Sequence, residues 1–246
     1  MPKIAILIPS TSKNRDWNTY KESYLYEKTL KTFLLTYDKE HEYTFYIGID
    51  EKDRIYDDET VKNAIIRFAS IMKNVHLEFV YMTGIVKGHL TIMWNRLFEK
   101  AYIENNDYFF QCGDDIEFIT SGWVNACIES LQKTGDIGVA GPVNNNARIL
   151  TQTFVSRKHM NLFGYYFPPE IINWCCDDWI NDVYKILGAF HPLQNHYCAN
   201  VGGEPRYIIN NDEYLNKYLT NNNVEKLREY CGKIVERDIK RITSQN

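Results

Sequence analysis

At 246 residues, 44% of them hydrophobic and 14% aromatic, the chain is long enough for one sizeable buried core, with or without a small appendage. A formal net charge of -4 and the lack of any long basic run argue against nucleic acid as the main partner, since phosphate-backbone binding needs clustered Lys and Arg. The apolar runs are strand-sized and too short for a membrane span, and the six cysteines are scattered with no C-x-x-C spacing, which argues against a zinc site.

The first element is "KIAILIP", Lys3 to Pro9, a continuous apolar run of the kind found in a buried parallel strand. The spacing of Tyr20, Tyr24, Glu27, Leu30 and Leu34 predicts an amphipathic helix from about Trp17 to Tyr37. "YTFYIGID", Tyr43 to Asp50, is a second strand, followed by an acidic loop and a helix starting near Glu59. "VHLEFVYM", Val75 to Met82, is a third strand; a turn bracketed by Gly84 and Gly88 leads into a helix over about Leu90 to Tyr102. "DYFFQCG" is a fourth strand, "SGWVNACIESLQK" a helix with Ser121 as its expected N-cap, and "DIGVAGP" a short fifth strand. After Pro142 the pattern becomes irregular and aromatic, up to a helix over about Asp178 to Leu187. "HPLQNHYCANVGGEPRY" reads as loop, and Val224 to Ile242 as a charged amphipathic helix. The N-terminus "MPKIAILIPS" is too short for a signal peptide. The expectation is a soluble, cytoplasmic protein whose thiols are buried small hydrophobes.

Strands alternating with helices imply an α/β fold, a mainly parallel sheet with helices on both faces. In such sheets ligands sit beyond the carboxyl ends of the strands. Ser10, Asp50, the Gly84–Gly88 turn and the pair Asp114–Asp115 all lie just past strand ends, so the reading puts them along one edge. "YFFQCGDDIEF" then aims a buried strand at Asp114, Asp115 and Glu117. Carboxylates are costly to desolvate unless paired or bound to a cation. Oxygen-only ligands at a strand end suit Mg²⁺ or Mn²⁺, which commonly bridges to substrate phosphates; Gly-Asp-Asp is also an ordinary turn composition.

This order of parts resembles a nucleotide-sugar-dependent glycosyltransferase of the GT-A fold, over roughly residues 2–188. The matching residues are a first strand ending in Pro9, Ser10 and Thr11, a second ending in Asp50, a Lys87–Gly88 turn into a helix bearing Asn95 and Arg96, and a strand delivering a "DxD"-like element. The resemblance implies a mixed, mainly parallel sheet over 1–210 with a C-terminal helical extension over 211–246. It implies a nucleotide-diphosphate sugar donor contacted by Pro9, Ser10, Thr11, Asp50, Lys87 and Asn95, with Asp50 on the base. The first acid of the family's run is missing here: Asp114 aligns near the ribose and Asp115 with the metal, while Asp115-Ile116-Glu117 is the alternative register. His196 is the expected further metal or diphosphate ligand, with His191 as its rival. Arg206 is a candidate phosphate clamp by its bidentate chemistry, a surface ion pair being the simpler role.

"NWCCDDWINDVYKIL" places Asp177 and Asp178 at a helix start, where Asp serves as a cap or first-turn residue. In inverting GT-A enzymes an acidic pair at this point carries the general base. By resemblance Asp178 takes the proton of an acceptor hydroxyl, with Asp177 in second place. Trp174, Trp179, Tyr165, Tyr166 and Phe167 surround the pair, either as an acceptor-glycan surface or as core. Two other readings remain: a sugar-nucleotide nucleotidyltransferase, against which "IPSTSKNRDW" lacks a Gly-rich phosphate loop, and a non-catalytic nucleotide- or glycan-binding module. A retaining mechanism also stays open.

Overall fold

The computed structural model describes residues 1–86, 88–203 and 224–244. Eight strands form one mixed sheet in the order β3-β2-β1-β4-β7-β6-β8-β5. They are β1 (Lys3–Ser10), β2 (Glu42–Ile49), β3 (Val75–Tyr81), β4 (Tyr108–Gln111), β5 (Ile116–Phe118), β6 (Val139–Val143), β7 (Thr153–Ser156) and β8 (Phe190–Asn200). β1 pairs in parallel with β2 and β4, β2 with β3, and β6 with β8. β7 runs antiparallel between β4 and β6, and β5 antiparallel along β8.

The two-residue side-chain period of a strand divides the core. Ile4, Ile6 and Ile8 enter one apolar cluster with Phe45, Ile47, Ile49 and Phe110. Ala5 and Leu7 enter the other with Tyr46 and Phe109. Because β1 is covered on both faces it reads as a solid apolar run rather than an alternating one. The first face is covered by α1 (Lys31–Thr36), α2 (Glu59–Ala69) and α4 (Trp123–Gln132); the second by α3 (Leu90–Ile103), α5 (Arg157–Phe163), α6 (Cys176–Ile186) and α7 (Val224–Thr243).

Several expectations are corrected. The helix expected from Trp17 is a 3₁₀ turn at Tyr20–Glu22 and then a π-helical segment, Leu25–Leu30, running into α1. Ser23 interrupts it: its hydroxyl donates to the Tyr20 carbonyl and accepts from the Tyr26 N–H, a local alternative to helical bonding. Ser121 does not cap α4. Gly122 occupies that position at φ 76°, and its N–H donates to Asp38 at 3.0 Å. The segment after Pro142 contains β7 and α5. The loop expected over His191 to Asn200 is the strand β8. Its Pro192 lies on the stretch paired with β6, whereas β5 joins β8 only at Cys198–Asn200, so the missing N–H costs no bond to β5.

α7 packs on α6. Leu227, Cys231, Ile234, Val235 and Ile242 are buried in the second cluster. Asp238, fully buried, accepts from Tyr165 Oη (2.9 Å) and Trp179 Nε1 (3.1 Å) and pairs with Arg237 Nε (3.0 Å). No helix among the described residues is long and apolar enough to cross a membrane.

Candidate active site

The carboxyl ends of β1, β2 and β4 meet in one hydrogen-bonded edge. The Ser10 hydroxyl donates to Asp114 (2.6 Å), which is fully buried, and Thr29 Oγ1 donates to the Asp114 carbonyl (2.8 Å). Asp53 ties the β1 and β2 exits together, accepting from Thr11 Oγ1, from the N–H and hydroxyl of Ser12, and from the N–H groups of Ile55 and Tyr56. Nothing in the sequence alone singled out Asp53; its clue is the Asp-x-x sequence turning its carboxylate onto its own following backbone. Glu117 is engaged elsewhere, in an ion pair with Lys28 at 2.9 Å. Asp115 is the acid of the run that lines the cleft.

Asp115 is half-buried and lines a cleft of about 480 Å³ together with Pro9, Thr11, Arg15, Asp177 and Asp178. Two glycines set its orientation. A Cβ on Gly113 would collide with Asp115 Oδ1, and one on Gly202 with Oδ2, so the carboxylate lies in a cradle that only glycine leaves clear. The Val201 N–H donates to the Asp115 carbonyl at 3.0 Å, fixing the strand that brings Gly202 there.

On the far wall, Asp177 and Asp178 occupy the first turn of α6, behind Cys175 rather than at the cap itself. Asp178 is paired with Arg148. Asp177 has no such cation; its carboxyl is pushed up to about 7, by burial first and by the neighbouring Asp178 charge second. Of the two neighbouring carboxylates, Asp178 is held in an ion pair, and Asp177 is poised to exchange a proton near neutrality.

The predicted residues divide as follows. Pro9, Thr11, Asp115, Asp177 and Asp178 come together in the cleft. Asp50 lies in an adjoining hollow of about 360 Å³ that shares Thr11 and Arg15 with the cleft, and accepts from Thr11 Oγ1 at 3.3 Å. Ser10 and Asp114 hold each other beneath the floor. Asn95 does a different job from the one expected: its Oδ1 accepts from the Tyr166 and Phe167 N–H groups (2.9 Å each) and its Nδ2 donates to the Phe167 carbonyl (2.8 Å), clamping that segment to α3.

His196 is not brought to Asp115. It rests against Gly122 at the start of α4, while Asp115 meets Val201 and Gly202, roughly five strand residues or 16 Å further along. His191 is elsewhere too, with its Nε2 3.2 Å from Thr134 Oγ1. Lys87 and Arg206 lie outside the described residues. Of the aromatics, Trp179, Tyr166 and Phe167 are core, and Tyr165 packs partly buried against it. Trp174, 55% exposed, lines the cleft. Arg15 and Arg148 also line it and were not assigned to it from sequence. Arg15 is carried over the Tyr24 ring at 5.2 Å and reaches toward Gly203.

Among the described residues no group of three or more His, Cys, Asp and Glu side chains could enclose a metal ion. The donor set fits a divalent ion only in the manner of Mg²⁺ or Mn²⁺, which accept one carboxylate and complete their shell with water and phosphate oxygens.

The sequence matches no family model and no curated protein. Its structure is similar to three solved structures of S. aureus TarS. The match to TarS 1-349 in complex with UDP-GlcNAc has a TM-score of 0.54 at 14% identity, covering 85% of this chain and 62% of that one. The match to TarS 1-349 in complex with UDP has a TM-score of 0.52 at 12% identity, covering 80% and 60%. A further TarS structure gives 0.51 at 13% identity, covering 80% and 36%. The chain therefore spans between about a third and two thirds of the length of the proteins it matches. With the mixed eight-stranded sheet, its helical layers and these matches, the chain has the GT-A fold.

Proposed function

We propose that the chain is a glycosyltransferase that moves a sugar from a nucleotide-diphosphate donor to a hydroxyl acceptor with inversion. The observation that carries this reading is that two acidic sites line one cleft: Asp115 in its glycine cradle at the sheet edge, and Asp177, titrating near 7, at the start of α6. Two of the matched TarS structures are complexes with UDP-GlcNAc and UDP, which makes uridine nucleotides the first donors to test.

In this reading Asp177 accepts the acceptor's hydroxyl proton as that oxygen bonds to the anomeric carbon and the bond from that carbon to the diphosphate oxygen breaks. The order of the two acids is the reverse of that implied by resemblance. Asp178 is committed to its ion pair with Arg148, and its charge keeps the Asp177 proton affinity high. A base matched to the working pH contributes about 10²–10⁴ in rate. Asp115 would hold a Mn²⁺ or Mg²⁺ ion, which supplies charge neutralisation to the departing diphosphate. Among the described residues Arg15, its guanidinium carried over the Tyr24 ring, is the candidate phosphate clamp. Thr11 and Asp50 are positioned for the nucleoside.

Calorimetric titration of UDP and GDP, with and without Mn²⁺, on the wild type and Asp115→Ala tests the reading. Metal-dependent binding of one nucleotide, lost in the variant, is expected. No nucleotide binding under any condition overturns it, and binding without turnover of any sugar conjugate favours the non-catalytic module.

A further inference from the structure

Five of the six cysteines are buried; Cys175 alone is partly exposed. It lines the main cleft and also a second cavity, of about 340 Å³, between α6 and α7, whose walls include Cys231, Arg148 and Arg228. Its backbone lies in the left-handed region, at φ 73°, directly before α6. L-residues other than Gly and Asn rarely adopt that conformation, so a glycine would sit there with less strain. A strained position occupied by a thiol, beside a second thiol from a distant part of the chain, invites a functional reading.

Cys231 shares the wall of that second cavity with Cys175. Hydrogen bonding from Cys231 is the largest influence holding the Cys175 thiol below the ordinary range, with Arg228 and Arg148 assisting against burial and the Asp178 charge. Burial instead pushes Cys112, Cys127, Cys176 and Cys198 up. Reactive thiols are those that are accessible and in electropositive surroundings.

From this juxtaposition we infer that Cys175 is a thiol-exchange site at the cleft wall and that Cys231 resolves it, giving a reversible disulfide that staples α7 to the start of α6. The chemistry needs a low-molecular-weight disulfide such as oxidised glutathione. The Cys175 thiolate attacks one of its sulfurs, forming a mixed disulfide and releasing one glutathione thiolate, which takes up the Cys231 proton. Cys231 then attacks the Cys175 sulfur, the protein disulfide forms, and the second glutathione leaves. Two electrons pass from the protein to one glutathione disulfide; the first glutathione carries the Cys231 proton, and the second leaves as a thiolate that takes from solvent the proton Cys175 gave up on ionising. The inference stands apart from the transferase reading, since it needs no nucleotide and no turnover.

The native protein is incubated with oxidised glutathione at neutral pH, its remaining thiols are alkylated, and the digest is mapped by mass spectrometry. The expected result is a Cys175–Cys231 cross-link with the other four thiols alkylated. Dithiothreitol should reverse it, and the cross-link should raise the melting temperature by roughly 5–10 °C. Cys231→Ser should stop at a glutathione adduct on Cys175. Four outcomes overturn the inference: no reaction at Cys175, cross-linking through other cysteines, a lasting glutathione adduct on Cys175 in the wild type, or a cross-linked protein whose melting temperature does not rise. The wild-type map decides even if the serine variant folds poorly.

Discussion

Asp177 carries two opposed consequences of one environment. In the unfolded chain it titrates as an ordinary carboxyl near 4, whereas in the fold it titrates at about 7. Between those values the native protein holds a proton that the unfolded chain has lost, so this residue makes stability fall as pH rises through the window. Above about 7 the whole cost of a buried carboxylate beside Asp178 is present. Asp177→Asn should therefore melt higher than the wild type at pH 8, with the difference closing toward pH 4, a comparison that calorimetry at the two pH values makes directly. The same variant should lose about 10²–10⁴ in kcat. The wild-type kcat/KM should rise with pH through an apparent pKa near 7, because the base works only when unprotonated.

Gly202 acts at the same scale through space rather than charge. A methyl group there collides first with the Asp115 carboxylate and drives it out of its cradle. Gly202→Ala should weaken metal-dependent nucleotide binding at least tenfold while leaving the unfolding midpoint within about 0.5 kcal/mol of wild type, as titration calorimetry and urea denaturation would report. An unchanged affinity would mean that Asp115 binds nothing.

Among the elements, α7 is attached by a buried charge as well as by apolar packing. Asp238 uses one oxygen on Tyr165 and Trp179, from two different segments, and the other on Arg237. Asp238→Ala leaves a buried indole N–H and a phenol without their acceptor, at a cost of about 3 kcal/mol; Asp238→Asn, which keeps one acceptor oxygen, should cost less. Denaturant midpoints of the two variants separate hydrogen bonding from packing. Element by element, the legible part of the chain was the part ruled by local pattern. β1 to β4 contain apolar runs and α2 and α3 show helical periodicity, and the strand ends brought Pro9, Thr11 and Asp115 to one cleft. What stayed hidden was fixed by partners remote in sequence. β8 is polar and contains Pro192, and is a strand because β6 and β5 pair with it. Arg148 reaches the site through its pairing with Asp178, which no spacing announces. Asn95 was legible as important and misread in purpose, because a helix-borne amide serves a ligand or a backbone equally well until its neighbours are known.

At the scale of the whole molecule, the two acidic sites rest on different cores: Cys112 and Ile116, which flank Asp115, belong to the first, and Cys176 and Trp179, which flank the Asp177–Asp178 pair, to the second. α6, which carries Asp177, rests its inner face on the sheet and another face on α7, so the tail helix supports the candidate base from behind. The five buried apolar side chains of α7 contribute roughly 1.5–3 kcal/mol each, about 7–15 kcal/mol together. Net stabilities of domains are only about 5–15 kcal/mol. Removing α7 therefore subtracts an amount comparable to everything that keeps the fold, and it also uncovers Trp179 and the Tyr165 hydroxyl. A chain ending at residue 223 should lose its cooperative unfolding transition, bind an apolar dye such as ANS, and aggregate. Size-exclusion chromatography and a thermal melt would establish this. A truncated chain that stayed monodisperse, with a melt within a few degrees of the intact protein, would mean that the sheet and α3 to α6 form a self-sufficient unit. The tail would then be an appendage, as the division at residue 210 supposed, and the support of Asp177 would have to come from α6 and the sheet alone.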